Sequence, residues 1–407
     1  MPKLRKIHID QAMVGMYVAS LDCDWTTHPF WLSRFSIRNA AQIGMLRQEG
    51  IQTFYIDIEK GRDIAPVSGP AAPASATGRP QHSAPARATS LSQEFALARD
   101  IVQRTEAITQ TLMKDARLGQ RLDITALRDI SSELSGSLDR NALALRMVAQ
   151  MYSKDAYTFE HSVSVALLLM ILQHHQRAPH DIVVEVGLGG LLHDIGKTRI
   201  PLPLLNKPGR HTAEERQQMR EHVRFSQMIL DENGIRSPII RAIALQHHER
   251  YDGTGYPLGL AGDAISVYGQ QAAIIDVYDA ITSDRCYHKG LPAPVAIKKI
   301  FDLGKNHFDP QAVRDVVHCF GIYPPGTLVR LASGKLAVVR RHTDGDLTRP
   351  EVIVFFDTLR NQRLKPASVN LAIRYGPHAD DHVLRHEEPD AWQAQLPDIQ
   401  QLLLDSH

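Results

Sequence analysis

Between Ala65 and Thr89 the chain sets Pro66, Pro70, Pro73, Pro80 and Pro85 among alanine, serine and glycine. Such a stretch buries too little apolar surface to offset the entropy of ordering it, so no single core can run through it. The 407 residues must then divide into roughly two or three domains, each long enough to bury a core of its own. We expect a multidomain chain: a small α+β module at 1–64, a Pro/Ala-rich linker at 65–90, a mainly α domain at 91–320, a β-rich module at 321–375 and a polar tail at 376–407.

In the first module, Val14 to Leu21 and Ile51 to Ile58 read as strands, the second with Phe54, Ile56 and Ile58 on one face, and Ile37 to Gln48 reads as a helix stopped by Gly50. After the linker the pattern turns helical. Phe95, Ala98, Val102, Ile108 and Leu112 recur at helical spacing, and the segment 91–117 is a candidate for homodimerisation. Helices are further expected over Ile124 to Glu133, Asn141 to Met151, 161–175, 182–195, 213–231, 237–249, 268–283 and 293–304. Thr212 with Glu215 has capping-box spacing, and Asp309-Pro310 reads as an N-cap followed by a proline at the first helical position. Beyond Tyr323, Thr327 to Leu331, Leu336 to Arg340 and Glu351 to Phe356 are separated by Ser333-Gly334 and Asp344-Gly345, which predicts hairpins.

Charge narrows the partners. With 46 basic against 45 acidic residues the formal net charge is +1, which argues against a nucleic-acid-coating role, so any phosphate recognition is local. Cys23, Cys286 and Cys319 have no C-x-x-C spacing and cannot all pair within one chain, which fits a reducing compartment. The basic start, Met1 to Lys6, leads into Ile7-His-Ile-Asp rather than an apolar signal core, and the apolar run Val163 to Leu172 falls far short of the roughly 20 residues that span a bilayer. A cytoplasmic protein with no membrane span is expected.

Seven metal-ligating side chains recur through the helical region: His161, His193, Asp194, His222, His247, His248 and Asp276. His193-Asp194-Ile195-Gly196-Lys197 ends an apolar helix with an imidazole beside a carboxylate. Helical neighbours point about 100° apart, so the pair can embrace one ion, and the two oxygens of a carboxylate can serve two. Gly196 lets the chain leave the helix and Lys197 is presented near the same place. The plain alternative is a histidine and a lysine answering the helix dipole. His161 and His222, each taken alone, read more readily as satisfied core or capping residues than as ligands. His247-His248 is different, because two imidazoles ending an apolar helix are costly to bury without partners and a metal satisfies them. The loop that follows, with Gly253, Gly255 and Pro257, can expose Tyr256 to a ligand, although Gly-x-Gly by itself is an ordinary turn. Asp276 lies in a helix apolar almost all round, where a carboxylate needs a cation or a firm hydrogen-bond network, and Asp279 one turn later reads as a structural or supporting partner. Arg285 can grip a phosphate with two parallel hydrogen bonds or simply end its helix in solvent.

Taken together, residues 125 to 320 resemble the HD-GYP family of cyclic-di-GMP phosphodiesterases, a branch of the HD metal-dependent phosphohydrolases. The resemblance is carried by Tyr157-Thr-Phe-Glu-His161-Ser, His193-Asp194-Ile-Gly-Lys197 through Ile200-Pro201, Leu205-Asn-Lys-Pro-Gly209, His222, the run from His247 to Pro257 and the run from Asp276 to Arg285. Residues 1 to about 64, with Trp25 to Phe30 and Tyr55-Ile-Asp57, resemble the small module often placed ahead of such domains. The family implies an HD-type helical bundle around a carboxylate-bridged pair of divalent metal ions, of iron, manganese or zinc. At matching positions His161, His193, Asp194 and Asp276 would hold one ion, and Asp194, His222, His247 and His248 the other. Lys197 would contact the reacting phosphate, with Asp194 and Lys197 as the catalytic pair, and Tyr256 and Arg285 would place the dinucleotide. The glutamate that binds a third ion in some members is replaced here by Tyr157, which favours two ions. Cys286 and His288 also depart from the family pattern and bear on substrate affinity and on the second cleavage.

The implied chemistry is two-metal hydrolysis of cyclic-di-GMP to linear pGpG, with GMP from a second cut. One competing reading is a catalytically weak cyclic-di-GMP receptor or scaffold that meets signalling proteins through its terminal modules. Another keeps an enzyme but changes the substrate to a different cyclic dinucleotide or a nucleotide monophosphate.

Overall fold

The computed structural model describes residues 4–21, 35–37, 40, 43–44, 47, 52–58, 60–62, 89–152, 158–207, 209–283, 290–304, 306–343, 346–373, 375 and 378–405. Residues 65–88 of the expected linker and the Trp25 to Phe30 motif lie outside these. The chain divides into two compact units, Met1–His82 and Ser83–His407.

In the first unit, β1 (Leu4–His8), β2 (Tyr17–Leu21), β3 (Phe35–Ser36) and β4 (Thr53–Asp57) form an antiparallel sheet in the order β1-β4-β2-β3. Ile7 stands opposite Phe54 and Val18 opposite Ile56, and these four pack with Ile9, Met16 and Ile37 as the core. Residues 40, 43, 44 and 47, inside the expected helix, are helical. Strand β1 was not expected, since its only apolar residues are Leu4 and Ile7.

The second unit begins with two long helices, α1 (Leu91–Arg117) and α2 (Ile124–Tyr152). The apolar stripe of α1, with Phe95, Ala98, Val102 and Leu112, is buried in the core that α2 shares, so the candidate dimer face is largely used within the chain; Leu97 and Leu118 stay exposed. Asn141, at φ −163° and ψ 92°, breaks α2 into two helical stretches. Then come α3 (Thr158–His175), α4 (His180–Leu192), a 3-10 turn (Ile195–Arg199), α5 (Leu202–Leu205), α6 (Ala213–Glu232), α7 (Pro238–Gln246), α8 (Val267–Thr282), α9 (Ala293–Leu303) and α10 (Pro310–Phe320). The Thr212 capping box opens α6, and Asp309 caps α10 ahead of Pro310. Helix α3 is apolar on nearly every side and central, as its thirteen consecutive buried residues from His161 to Gln173 require.

Two expected helices end earlier than their sequence suggested. Those placed over 182–195 and 237–249 stop at Leu192 and Gln246, so Asp194 and His248 sit in turns just past helix ends rather than on helical faces. Close packing surrounds the first of these ends. A Cβ on Gly190 would lie 2.5 Å from the Ala166 Cα of α3, and one on Gly196 would lie 1.9 Å from the His222 carbonyl oxygen of α6. Glycine is therefore needed at 196 for the approach of α6, and not merely to leave a helix.

The C-terminal part holds regular structure beyond residue 375 as well as before it. Strands β5 (Leu328–Leu331), β6 (Lys335–Arg341), β7 (Glu351–Asp357), β8 (Gln362–Asn370) and β9 (Val383–His386) make an antiparallel sheet in the order β8-β7-β6-β5-β9. Alternation along β7 sends Val352 and Val354 into the sheet's own core and Ile353 and Phe355 into the core it shares with the helices. The supposed polar tail supplies β9 and α11 (Ile399–Leu404), whose Leu402 and Leu403 are buried.

One buried ion pair ties α1 to α2. Glu94 is fully buried and accepts hydrogen bonds from Arg140 Nε at 2.8 Å, Ser137 Oγ at 2.7 Å and Thr89 Oγ1 at 2.7 Å. Burial raises its pKa, yet these bonds hold the carboxyl below its ordinary value. The pair's contribution is thus full above the ordinary carboxyl range and is lost as pH falls through the depressed pKa. Glu94→Ala, which leaves Arg140 uncompensated, is expected to lower stability by about 3–5 kcal/mol near neutral pH, read as the shift in a urea unfolding curve. The gap from the wild type should narrow in acid.

Candidate metal centre

Five helices deliver the ligand set. His161 lies in the first turn of α3, His193 and Asp194 follow α4, His222 is on α6, His247 and His248 follow α7, and Asp276 is on α8. Ligand atoms of Asp194, His222, His247 and His248 lie within 4.8 Å of one another, and so do those of His161, His193 and Asp276. All seven predicted side chains therefore meet.

Asp194 stands between the two groups. Its Oδ2 is 3.3 Å from His193 Nε2 and 3.8 Å from His161 Nε2, while its Oδ1 is 3.4 Å from His222 Nε2 and 3.8 Å from His247 Nε2. One oxygen faces each group, as a bridging carboxylate requires. Burial works against its charge, but Lys197 and the neighbouring imidazoles hold its pKa well below the usual range. Lys197 Nζ lies 2.5 Å from Oδ2.

The imidazoles are held from behind. His193 Nδ1 contacts the Gly190 carbonyl oxygen at 2.8 Å, His222 Nδ1 that of Met219 at 2.7 Å and His247 Nδ1 that of Ile243 at 3.1 Å. Each ring then donates through Nδ1 and turns the Nε2 lone pair inward. His193 Nε2, His222 Nε2, His247 Nε2 and Asp194 Oδ1 are buried without any hydrogen-bond partner among the described residues. Four inward-facing acceptors in one small space repel one another and leave their hydration unreplaced, a combination that a divalent cation satisfies. Burial pulls His222 and His247 below the usual imidazole pKa and drops His248 to about 3, so all three are in the neutral, ligating form at neutral pH.

His161 is built differently. Its Nε2 is 3.0 Å from Asp276 Oδ1 and its Nδ1 is 2.6 Å from Asp279 Oδ2, and although burial lowers its pKa, these carboxylates lift it to about 10. Asp279 also accepts from Ser164 Oγ at 2.5 Å and so fixes the ring of His161. Ser164 carried no signal in the sequence; Asp279 did, through its spacing from Asp276.

Tyr256 is half-buried rather than presented. Its ring stacks on His248 with centroids 4.6 Å apart, and the Arg220 guanidinium lies 4.8 Å from its centroid. The loop around it is tied by Glu249, whose two oxygens accept the backbone N–H groups of Leu258 at 2.8 Å and Leu260 at 3.0 Å. Glu249 could have been singled out by its place beside the tandem histidines. Arg285, Cys286, His288 and Tyr157 lie outside the described residues. Among the described residues no helix is long and apolar enough to cross a membrane.

Comparison with known proteins bears on the same region. A family model described as "HD domain" matches residues 140–312, and one described as "Domain of unknown function (DUF3391)" matches residues 4–127. A Pseudomonas aeruginosa protein named cyclic di-GMP phosphodiesterase PA4108 is 38% identical over 96% of this chain and 93% of its own length. The cyclic di-GMP phosphodiesterase response regulator RpfG of Xanthomonas campestris is 30% identical over 52% of this chain and 53% of its own. A Vibrio cholerae protein named 3'3'-cGAMP-specific phosphodiesterase 2 is 34% identical over 46% of this chain and 34% of its own.

Removing the support behind a ligand tests the arrangement. Asp279→Asn, which weakens the hold on His161, is expected to lower metal affinity by about 10–100-fold, measured by competition with a chromogenic chelator. Affinity equal to the wild type would mean that His161 needs no such support.

Proposed function

Because the chain belongs to the HD-domain family, in its branch of cyclic-di-GMP phosphodiesterases, we propose that it hydrolyses cyclic-di-GMP to linear pGpG, and that a second cut yields GMP. The observation that supports this most is the group of buried acceptors without partners, His193 Nε2, His222 Nε2, His247 Nε2 and Asp194 Oδ1. Mixed imidazole and carboxylate donors suit two divalent ions of iron, manganese or zinc, among which availability decides. His161, His193, Asp194 and Asp276 would hold one ion, and Asp194, His222, His247 and His248 the other. Ions held there supply Lewis-acid stabilisation of phosphoryl charge and a water acidic enough to attack near neutral pH.

The chain's own residues do the rest. Asp194 keeps the two groups in register by offering one oxygen to each. Lys197, partly open to solvent beside that carboxylate, can reach a phosphoryl oxygen and stabilise charge that builds there. Asp279 and the three backbone carbonyls keep the rings from turning, so little reorganisation accompanies the reaction. Tyr256 and Arg285 would place the dinucleotide.

The receptor or scaffold reading is weaker, since binding without turnover needs no such set of inward-facing donors. Relatives named for either cyclic-di-GMP or 3'3'-cGAMP keep a second cyclic dinucleotide in play, and the near full-length similarity to PA4108 favours the former. We place the activity in cytoplasmic second-messenger signalling, with signalling proteins as partners of the N-terminal sheet or the C-terminal strands.

Incubating the metal-loaded protein with cyclic-di-GMP and separating the products tests this directly: pGpG should appear, followed by GMP if the second cut occurs. Asp194→Ala should abolish turnover and lower bound metal. Lys197→Met should keep the metal and lower kcat by about 10²–10³, the usual loss when one stabilising donor is removed. Unchanged turnover in Asp194→Ala with full metal content would overturn the reading.

A further inference from the structure

We infer that Arg220 is a substrate-anchoring residue, the cation that grips the phosphodiester of the cyclic dinucleotide that is not being cut. The inference rests on the substrate reading above. A cyclic dinucleotide carries two anionic phosphodiesters. The metal centre with Lys197 answers one, and the other needs further positive charge at the mouth of the site, from Arg220 beside the Arg285 already assigned to place the dinucleotide.

Arg220 is exposed on α6, two residues before His222. Its guanidinium carbon lies 4.8 Å from the Tyr256 ring centroid, and that ring stacks on His248 at 4.6 Å and 26°. Both groups therefore pack against this ring. His248 belongs to the ligand cluster, Tyr256 stacks on it, and the exposed Arg220 lies against Tyr256. Stacking uses the face of a guanidinium and leaves its edge of N–H donors free.

Among the described residues that edge has no partner. The neighbouring arginines of α6 are engaged: Arg216 Nη1 donates to the His211 carbonyl at 2.8 Å, and Arg224 Nε to Glu221 Oε2 at 2.7 Å. Arg220 makes no hydrogen bond and no ion pair among the described residues. Its position is nonetheless constrained, since the ring beneath it belongs to a loop tied down by the buried Glu249 carboxylate. A charge held in place with its donors unused is arranged for an anion from outside. The same geometry reassigns Tyr256. Its ring, packed against both His248 and Arg220, acts as the positioning residue for Arg220.

The test compares Arg220→Met, which still covers the Tyr256 ring, and Arg220→Lys, which keeps the charge without the planar edge, in the full-length metal-loaded chain. In Arg220→Met the KM for cyclic-di-GMP should rise by about tenfold or more, as expected for a lost charge-assisted pair, with a smaller effect on kcat and wild-type metal content. Arg220→Lys should recover part of the loss, and the gap from the wild type should shrink as salt is raised. A KM within about twofold of the wild type, or loss of metal together with activity, overturns the proposal; the second result would make Arg220 a structural prop for Tyr256 and His248. If the wild type binds cyclic-di-GMP without cleaving it, Kd replaces KM and the hydrolase reading alone fails. A wild type that neither binds nor cleaves it overturns both.

Discussion

A carboxylate buried among imidazoles is the constraint on which this structure turns. Asp194 is almost fully buried, and a charge in such a place is unfavourable unless other charges and dipoles replace the lost water. Lys197 and the surrounding rings do part of this, and the partnerless Nε2 atoms leave the rest to cations. Helices α3, α4, α6, α7 and α8 must therefore end or cross within a few ångströms of one point. Gly190 and Gly196 are where the backbone permits it, because a methyl group at either would meet a neighbouring helix.

Rigidity behind the ligands matters as much as the ligands. Three of the five imidazoles lean on backbone carbonyls within their own or the preceding helix, and His161 leans on Asp279, which is itself held by Ser164. These contacts need no movement when charge develops, so the chain has already met the entropic cost of ordering them in folding. Tyr256 and Arg220 lie outside this set, the first half-buried and the second exposed.

The C-terminal sheet enters the same account. Its residues Leu328, Leu336, Val338, Ile353 and Phe355 belong to one core with α3, α4 and α8, so the helices that carry ligands pack against a layer that includes strands. Tyr278, between Asp276 and Asp279 on α8, stacks on Phe320 at 5.9 Å on the side away from the metal ligands. The α8 helix is thus anchored on its apolar side while its two carboxylates face the site.

Much of this was legible in the residues themselves. The order of His161, His193-Asp194, His222, His247-His248 and Asp276 identified the ligand set, because imidazoles and carboxylates ending apolar helices have few inexpensive alternatives to a metal. Helix positions followed from apolar periodicity, and β5 to β7 from alternation between turn residues. Strands β1, β8 and β9 escaped notice because their patterns are basic or polar, and β8 is mostly exposed. Other matters belonged to tertiary structure alone. Which oxygen of Asp194 faces which imidazole, that Ser164 supports His161 through Asp279, and that Tyr256 packs against both His248 and Arg220 depend on residues tens of positions apart being brought into contact. Local sequence specifies what a side chain can bind; only packing decides what stands next to it.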